Sequence, residues 1–453
     1  MAIARPIARL VIGTTLLASS QFVAKAETVV EEQAIAEVEA VGDEADADDD
    51  SNSEEPTHKQ SSLININADG LPQASVQCFC LLGDDRLLAG CTGTTNEIRV
   101  FDDKGTYVEA FELPVAPEAI NVAPDGTILV AGDGELLRLS AKGKVLAKVE
   151  SPHAAAIRDA KEEVRKQTIE QQKEQAKMLP QMLEAYDTAM KELAKQIADL
   201  EEQGEAGKEQ LQASKEMMES YKQAKEQMKE QYGDEAKELT DEQIEEMVKA
   251  AIQYKLKVAS ISSDGEVVFV ACGMPTGYGY AVWKLTQDFA DGKEIVSGLS
   301  GCCGQMDVQA NADGVFVAEN SRKRVRRFDA DGESVCDWGK SSEGIDGFGS
   351  CCNPMNLAFG TNGSVYTAED TTGRIKRYSN DGKLLSVVGA ADVVPGCKKV
   401  SIGVDSTGDR VYMLDITRNN VAVLSRVHPD PKEPLANATS SSGNFLLKLI
   451  GLE

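Results

Sequence analysis

Residues 306–339 read MDVQANADGVFVAENSRKRVRRFDADGESVCDWG, and residues 355–389 read MNLAFGTNGSVYTAEDTTGRIKRYSNDGKLLSVVG. Each stretch begins with a short apolar segment, turns at Asp-Gly or Asn-Gly, and continues with a second apolar segment, a polar loop and a basic-apolar segment. A second Asp-Gly turn and a last apolar segment complete the unit. Alternating apolar residues indicate β-strands, and such turns join strands into antiparallel hairpins. The sequence therefore predicts four antiparallel strands in each stretch.

Further copies of this unit occur at 79–113, 119–150, 258–298 and 400–427. Units of about 40 residues with four strands each are typical of β-propeller blades. One blade cannot bury its apolar faces alone, so repeated blades pack against one another. We predict an all-β, six-bladed β-propeller with four-stranded blades. Blades 1 and 2 are expected at 73–151, and blades 3 to 6 at 257–428.

The fourth and fifth copies carry further motifs, namely NADG, VFVAEN, RKRVRRFDADGE and WGK, with GFGSCCNP leading into the fifth copy. In these motifs the chain resembles the NHL-repeat family of six-bladed propellers, of the secreted bacterial type with Cys-Cys-Asn-Pro. The resemblance covers residues 75–150 and 256–428, and it is strongest in the fourth and fifth copies. It implies a propeller fold and a binding platform, without implying one particular activity.

The N-terminus has the layout of a cleavable secretory signal. Arg5 and Arg9 precede the apolar run LVIGTTLLASS (10–20), and an Ala-Lys-Ala site ends at Ala26. The run is shorter than the ~20 apolar residues that a membrane-spanning helix needs. We predict a signal peptide over 1–26 and an exported protein, periplasmic or extracellular, with no transmembrane segment after signal cleavage.

The regions that flank the propeller differ from it in composition. Residues 27–72 are rich in carboxylates and poor in large apolar side chains, which predicts a disordered acidic leader. Residues 429–453 are assigned to a C-terminal tail. The chain carries a net charge of −27, which disfavours nucleic acid as a partner.

Residues 152–256 interrupt the repeats between the second and third copies. The segment is rich in Glu, Lys, Gln and Ala, and its apolar residues follow a 4-3 spacing that indicates the seam of a coiled coil. The first seam comprises Leu179, Leu183, Tyr186, Met190, Leu193, Ile197 and Leu200. The second comprises Leu211, Ser214, Met218, Tyr221, Lys225, Met228 and Tyr232. We predict an α-helical coiled-coil hairpin inserted in the propeller.

Local signals refine this helical insert. Residues 203–207 break the first helix, and Pro180 is expected to kink or restart it. Thr240 and Gln243 have the spacing of a capping box, which predicts a third, short helix. Two interpretations of the seams remain open: the hairpin packs against itself, or it binds a protein partner or a second copy of the chain. The residues assigned to that second role are Leu183, Tyr186, Met190, Leu193, Met218 and Tyr221.

All ten cysteines lie in the predicted propeller body, and none lies in the leader or in the helical insert. Cys303, Cys352 and Cys397 fall at one blade position, each four residues before the start of an innermost strand, so we expect them near one mouth of the central channel. Three interpretations remain open: disulfides that clamp the ring, inert buried thiols, or a soft-metal or redox site. The disulfide candidates are Cys78, Cys80, Cys302, Cys303, Cys351, Cys352 and Cys397. The metal or redox candidates are Cys302, Cys303, Cys351, Cys352 and Cys397.

Other catalytic arrangements have weaker signals. The chain has three histidines, which disfavours a metal held by several histidines and a Ser/His/Asp triad. Glu319, Glu369 and Asp415 end the second strands of blades 4 to 6. Propeller lactonases hold calcium with acidic and asparagine side chains at the channel mouth, so these carboxylates are candidate calcium ligands. The alternative is that these carboxylates accept hydrogen bonds from the backbone or from arginines of the next strand. The arginines in question are Arg324, Arg374 and Arg377.

The sequence thus leads to three functional hypotheses. The first is an exported propeller that binds or scaffolds a protein or an envelope component. The alternative is a redox or metal-dependent enzyme centred on the cysteines at the channel mouth, and the third is a calcium-dependent, lactonase-like hydrolase. No catalytic residue is assigned and no cofactor is expected, although calcium or a thiolate-bound metal is left open.

Overall fold

The computed structural model describes residues 55–428, apart from residue 69 and the segments 203–207 and 233–239. The predicted signal peptide (1–26), most of the predicted leader and the tail from residue 429 onward lie outside the described residues. The chain divides into two compact units. Among the described residues, one unit contains the strands except for Gly273 at the end of one of them, and the other contains residues 151–257 together with 273–278.

The strands form six four-stranded antiparallel sheets. Blade 1 contains β2 (Ala74–Leu81), β3 (Leu87–Gly93), β4 (Glu97–Phe101) and β5 (Tyr107–Glu112). Blade 2 contains β6 (Ala119–Val122), β7 (Ile128–Gly132), β8 (Glu135–Leu139) and β9 (Val145–Glu150). Blade 3 contains β10 (Val258–Ser263), β11 (Val267–Gly273), β12 (Tyr280–Thr286) and β13 (Lys293–Leu299).

The remaining three blades follow the helical segment and blade 3. Blade 4 contains β14 (Asp307–Asn311), β15 (Gly314–Glu319), β16 (Arg324–Phe328) and β17 (Ser334–Trp338). Blade 5 contains β18 (Asn356–Phe359), β19 (Val365–Ala368), β20 (Arg374–Tyr378) and β21 (Leu384–Ala390). Blade 6 contains β22 (Ile402–Val404), β23 (Arg410–Asp415), β24 (Asn420–Arg426) and β1 (His58–Asn65).

The six sheets form a closed ring. Apolar side chains of each blade pack against those of the next, from blade 1 through blade 6. The ring closes where Tyr412 and Leu414 of blade 6 join one apolar cluster with Phe79 and Leu87 of blade 1. Six four-stranded sheets packed face to face in a ring constitute a six-bladed β-propeller, so this part of the predicted fold is confirmed.

The Asp-Gly turns allow adjacent blades to approach closely. Gly332, in the turn between β16 and β17, has φ +91° and donates its N–H to the carbonyl of Asp329 at 3.1 Å. A Cβ atom at this position would lie 2.1 Å from the carbonyl oxygen of Ile295 in blade 3. Glycine is therefore required here both by the left-handed backbone and by the neighbouring blade.

The prediction of a disordered leader over 27–72 is wrong for its last part. Residues His58–Asn65 form β1, which pairs antiparallel with β24 and supplies the outer strand of blade 6. His58 is buried, and its ring nitrogens contact Thr57 Oγ1 at 2.8 Å and the carbonyl of Gly408 at 3.0 Å. The strand was not predicted because its sequence, HKQSSLIN, is mostly polar and lacks the alternation of apolar residues that the blades show.

The helical unit contains four helices in its described residues: α1 (Pro152–Asp159), α2 (Lys161–Glu202), α3 (Lys208–Tyr232) and α4 (Asp241–Lys255). The helix α2 continues through Pro180, so the predicted restart at this residue is wrong. The predicted capping box at the start of α4 is confirmed, because Thr240 and Gln243 exchange both hydrogen bonds. The predicted break at 203–207 lies outside the described residues. Among the described residues no helix combines the length and the hydropathy that crossing a bilayer requires.

The six seam residues assigned to partner binding are at least partly withdrawn from solvent. Leu193 is buried, and the other five residues assigned to partner binding are half-buried. The rings of Tyr186 and Tyr221 meet edge to face, with their centroids 6.0 Å apart. Lys225 forms an ion pair with Asp187. These contacts show that α2 and α3 pack along each other within the unit.

Candidate functional site: a cluster of five cysteines

Five cysteines converge at the loops that precede the innermost strands of blades 4, 5 and 6. Cys302 and Cys303 precede β14, Cys351 and Cys352 precede β18, and Cys397 precedes β22. Blades 4, 5 and 6 are neighbours in the ring, so their equivalent loops lie side by side. The structure thus brings together the five residues that the sequence analysis assigned to a metal or redox site.

The sulfur atoms form two triangles that share the sulfur of Cys352. In the first triangle, the Sγ atoms of Cys302, Cys303 and Cys352 are separated by 3.4, 3.4 and 3.2 Å. In the second, the Sγ atoms of Cys351, Cys352 and Cys397 are separated by 3.1, 3.0 and 3.1 Å. Cys352 is fully buried, whereas Cys397 is exposed and the other three are half-buried. The cluster therefore reaches from the apolar core between blades 5 and 6 to the protein surface.

Tight turns with left-handed residues present the cysteines of blades 4 and 5. Cys303 has φ +55° and Gly304 has φ +70°, and the N–H of Gln305 donates to the carbonyl of Cys302 at 3.0 Å. Ser350, immediately before Cys351, has φ +60°. Left-handed conformations are uncommon for residues other than glycine and are found at sites where function constrains the backbone.

The carboxylates that end the second strands hold these cysteine loops in place. Glu319 accepts a hydrogen bond from the N–H of Ser300 at 3.0 Å, and Glu369 accepts one from Gly349 at 3.4 Å. Asp415 accepts one from Val394 at 3.0 Å. Each donor lies two or three residues before the first cysteine of its loop. The repeated acid therefore anchors the cysteine loop of each of the three blades.

Arginines of the next strand also engage two of these acids. The Nε atom of Arg324 lies 2.6 Å from Glu319, and Arg374 donates to both oxygens of Glu369 at 2.7 Å. These contacts confirm the alternative in which the acids accept hydrogen bonds from the backbone and from arginine. Arg377 donates to the Ser364 hydroxyl at 3.0 Å, and its predicted contact with one of these acids stays a prediction.

Two buried asparagines add further hydrogen bonds at the same level. Asn320 Oδ1 accepts from the N–H of Cys302 at 2.8 Å. Asn353, directly after Cys352, donates to the carbonyl of Gly349 at 3.0 Å and accepts from the N–H of Asp370 at 2.9 Å. Both asparagines are buried, so these bonds form away from water and restrict the loops that carry the cysteines.

The sulfur atoms influence one another electrostatically. Hydrogen bonds from the thiols of Cys303 and Cys352 lower the pKa of Cys302, and the positive charge of Lys323 adds to this effect. The same interactions with Cys302 raise the pKa values of Cys303 and Cys352. The Nζ atom of Lys323 is buried and has no hydrogen-bond partner among the residues that the structure describes. An ammonium in this setting favours negative charge on the nearby sulfur atoms.

Cys78 and Cys80 lie outside the cluster. They belong to β2 of blade 1 and line the central cavity of the propeller, where burial raises the pKa of Cys78 to about 11. All ten cysteines are thiols in this structure. The disulfide hypothesis for these seven residues stays a prediction.

The central cavity is the second feature in which polar groups converge. Its volume is about 230 Å³, and all six innermost strands contribute to its wall. Asp307 of blade 4 accepts hydrogen bonds from Ser260 Oγ of blade 3 at 2.6 Å and from the N–H of Leu357 of blade 5 at 2.7 Å. Since small-molecule sites occupy roughly 300–1,000 Å³, this polar network is better explained as a tie between blades.

Sequence reasoning missed Asn353, Lys323 and Lys376. Lys376 of β20 is fully buried, and its ammonium contacts the carbonyl of Gly347 and lies 4.3 Å from the ring centroid of Phe348. These contacts tie down the loop that leads to Cys351. The sequence did contain a signal for Lys376, because this lysine stands within a predicted strand in the middle of a repeat. A lysine that is fully buried at such a position is unusual.

No protein-family model matches the chain, and no curated protein matches it. Among solved structures, virginiamycin B lyase from Staphylococcus aureus is similar at 12% identity and TM-score 0.39, over 79% of this chain and 83% of that chain. The Cps50 β-propeller domain of Myceliophteria thermophila is similar at 8% identity and TM-score 0.37, over 82% and 100% of the two chains. A gluconolactonase from Xanthomonas campestris is similar at 8% identity and TM-score 0.39, over 82% and 99%. The blade count rests on the six sheets themselves, and these similarities carry no functional argument.

Proposed function

We propose that this protein is a β-propeller that binds a soft metal through the thiolates of Cys302, Cys303, Cys351, Cys352 and Cys397. One observation carries the proposal: five sulfur atoms from three adjacent blades lie within 3.0–3.4 Å of their neighbours in the cluster. Thiolates are ligands that select copper(I), zinc and iron–sulfur clusters. Metal binding requires that the cysteine ligands lose their thiol protons, and the positive charge of Lys323 favours that loss.

The geometry supports metal binding more than structural disulfides. Cys352 has four sulfur neighbours at 3.1–3.4 Å, whereas a disulfide could use only one of them. A disulfide between adjacent cysteines closes a small, strained ring. Inert packing is also a weaker explanation, because Cys397 is exposed and three other members are half-buried. A cluster of five cysteines is therefore better explained by a shared metal site than by fixed disulfide pairs.

Metal analysis of the intact protein tests the proposal. Protein purified without oxygen and with a phosphine reductant is offered copper(I) or zinc(II), and bound metal and free thiols are counted. We expect retained metal and protection of the cluster thiols from alkylation. The matched control is Cys336→Ser, which alters a half-buried cysteine on β17 outside the cluster. If the reduced protein retains neither metal, or if four of the five cysteines form two fixed disulfides in the native protein, the proposal is wrong.

We also propose that the protein is exported, to the periplasm or beyond the cell, and that it is of the Cys-Cys-Asn-Pro NHL type. The N-terminal sequence pattern and the repeat motifs support this proposal. N-terminal sequencing of the mature protein provides the test, with residue 27 expected as the first residue. A mature chain that keeps residues 1–26 would contradict export through this signal.

A second role belongs to the helical unit, which we propose forms a coiled-coil hairpin that binds a protein partner or a second copy. Two observations support this role. The helical residues form a compact unit of their own, and two of their methionines, Met178 and Met217, are half-exposed. Sedimentation of the full chain and of a chain lacking 156–252 tests self-association. Equal, monomeric sedimentation of both would argue against the second copy.

The calcium-dependent hydrolase hypothesis is tested separately, by a thermal shift on addition of Ca²⁺.

A further inference from the structure

We infer that the cysteine cluster holds two monovalent soft metal ions, of the class of copper(I), one in each sulfur triangle and joined by a bridging Cys352 thiolate. The inference rests on the proposed function and adds the number of ions, their charge class and the role of one residue. The first ion would be held by Cys302, Cys303 and Cys352. The second would be held by Cys351, Cys352 and Cys397.

The arrangement of the sulfurs argues against one tetrahedral ion. A four-thiolate zinc site has metal–sulfur distances of ~2.3 Å, so its four sulfurs lie ~3.8 Å from one another. In the described part of the chain, each set of mutually close candidate ligands contains three cysteines and no fourth group. The two sets overlap at Cys352 alone. The geometry therefore offers two three-sulfur positions rather than one four-sulfur position.

Cys352 is placed to bridge the two ions. It is the common corner of both triangles, with sulfur neighbours at 3.2 and 3.4 Å on one side and at 3.1 Å twice on the other. A thiolate sulfur has enough lone pairs to bind two ions at once. Cys352 is also fully buried, whereas the outer corner Cys397 is exposed. The bridge would thus lie inside the site, and Cys397 would lie on its solvent side.

Three sulfurs suit a monovalent soft ion better than zinc. Zinc in proteins is almost always four-coordinate, so each position would need a fourth ligand that the described residues do not place there. An ion ~2.3 Å from three sulfurs holds them ~4 Å apart. Each triangle must therefore widen by less than ~1 Å from its present edges of 3.0–3.4 Å.

The charge balance also involves a residue beside the cluster. Five thiols release five protons as two monovalent ions bind, which leaves an anionic complex. The buried ammonium of Lys323, which has no hydrogen-bond partner in the described part of the chain, can compensate part of this charge. No oxidation or reduction is required, because copper enters and stays as copper(I).

Stoichiometry in native mass spectrometry tests the inference. The reduced full-length chain is titrated without oxygen with copper(I) supplied by a chromophoric copper(I) chelator. We expect the wild-type protein to take up two ions, and Cys303→Ser or Cys397→Ser to keep one ion each. Cys352→Ser removes a ligand from both positions, so it should lose both ions at chelator concentrations that leave wild type loaded. The control Cys336→Ser should bind two.

The outcomes separate this inference from the broader proposal. If wild type saturates with one ion, the two-ion site is wrong, although the protein still binds a soft metal. If it binds no copper(I), this inference is wrong, and the broader proposal is wrong as well if the reduced protein takes up no zinc(II). If the Cys352→Ser variant retains two ions, Cys352 does not bridge them. Circular dichroism checks that this variant folds; if it does not, the one-ion stoichiometry of Cys303→Ser and Cys397→Ser still decides.

Discussion

The ammonium of Lys376 lies 3.1 Å from the carboxylate of Glu369, and neither side chain is reached by solvent. Glu369 also binds Arg374, while Lys376 contacts the carbonyl of Gly347. The pair therefore connects β20 with the loop that carries Cys351 and Cys352. Buried charges are retained only where partners satisfy them, which makes this loop sensitive to single substitutions.

Replacing Lys376 with methionine should lower the free energy of unfolding by about 1–3 kcal/mol, because the carbonyl of Gly347 loses its donor in a buried position. Glu369 keeps Arg374 and so does not become an isolated charge. Urea unfolding measures the change. The control is Lys340→Met, which removes a solvent-exposed ion pair with Asp346 and should have no measurable effect. Equal losses in both variants would contradict the role of the buried pair.

Asp307 should make stability depend on pH. Burial raises its pKa above the ordinary value, against the opposing effects of hydrogen bonds from Ser260, Leu357 and Gln309 and of the Lys399 charge. The folded state therefore keeps this proton to a higher pH than the unfolded state does. The resulting stabilisation is complete below ~pH 3.9 and is lost as the pH rises through the raised pKa.

The comparison that isolates this effect is wild type against Asp307→Asn. On acidification from neutral pH, wild type should gain stability relative to the variant, and urea midpoints measured at several pH values report the difference. A difference that stays constant with pH, or that changes in the opposite direction, would show that the folded-state pKa of Asp307 is not raised.

Removing β1 should destabilise the propeller as a whole. A chain that starts at residue 70 lacks the outer strand of blade 6 and leaves the hydrogen-bonding edge of β24 unpaired. A chain that starts at residue 55 keeps the strand and serves as the control. We expect the shorter chain to unfold at a temperature lower by several degrees, or to aggregate, in thermal scans followed by circular dichroism. Identical melting of the two chains would show that β1 contributes nothing.

Deleting residues 156–252 should leave the propeller folded. The six apolar clusters between blades are built from residues of the strand-containing unit, so none of them loses a member. The far-ultraviolet spectrum should lose its helical component and keep its strand component. Copper(I) uptake should be unchanged, since all five cysteines remain. Loss of cooperative unfolding in the deleted chain would contradict the independence of the propeller.

The blades could be predicted because their signals are local. Asp-Gly turns such as Asp331–Gly332 and alternating strands such as 314–319 define a hairpin within a few residues. The strand β1 could not be predicted in this way. Its pairing partner β24 lies more than 350 positions later in the chain, and its mostly polar sequence resembles that of a linker.

The candidate site could be predicted in part. Alignment of the repeats placed Cys303, Cys352 and Cys397 at one level, and ring order makes their blades neighbours. Cys78 was a disulfide candidate together with these residues, yet its thiol faces the carbonyl of Pro117 and joins the core between blades 1 and 2. The direction of a side chain depends on the backbone conformation of the turn before the strand, as at Cys303, which is left-handed. The periodicity of the sequence does not specify that conformation.

The pairing of β1 with β24 also has a consequence for the order of synthesis. Chains fold from the N-terminus as they leave the ribosome, but Asn65 cannot find its partner Asn420 until blade 6 has been made. Until then, the apolar face of blade 1 that packs against blade 6 remains open to water and to other chains. The cysteine loops belong to the last three blades, so the sulfur cluster assembles only at the end of translation. A metal ion would therefore meet a complete site only in a chain that is nearly finished.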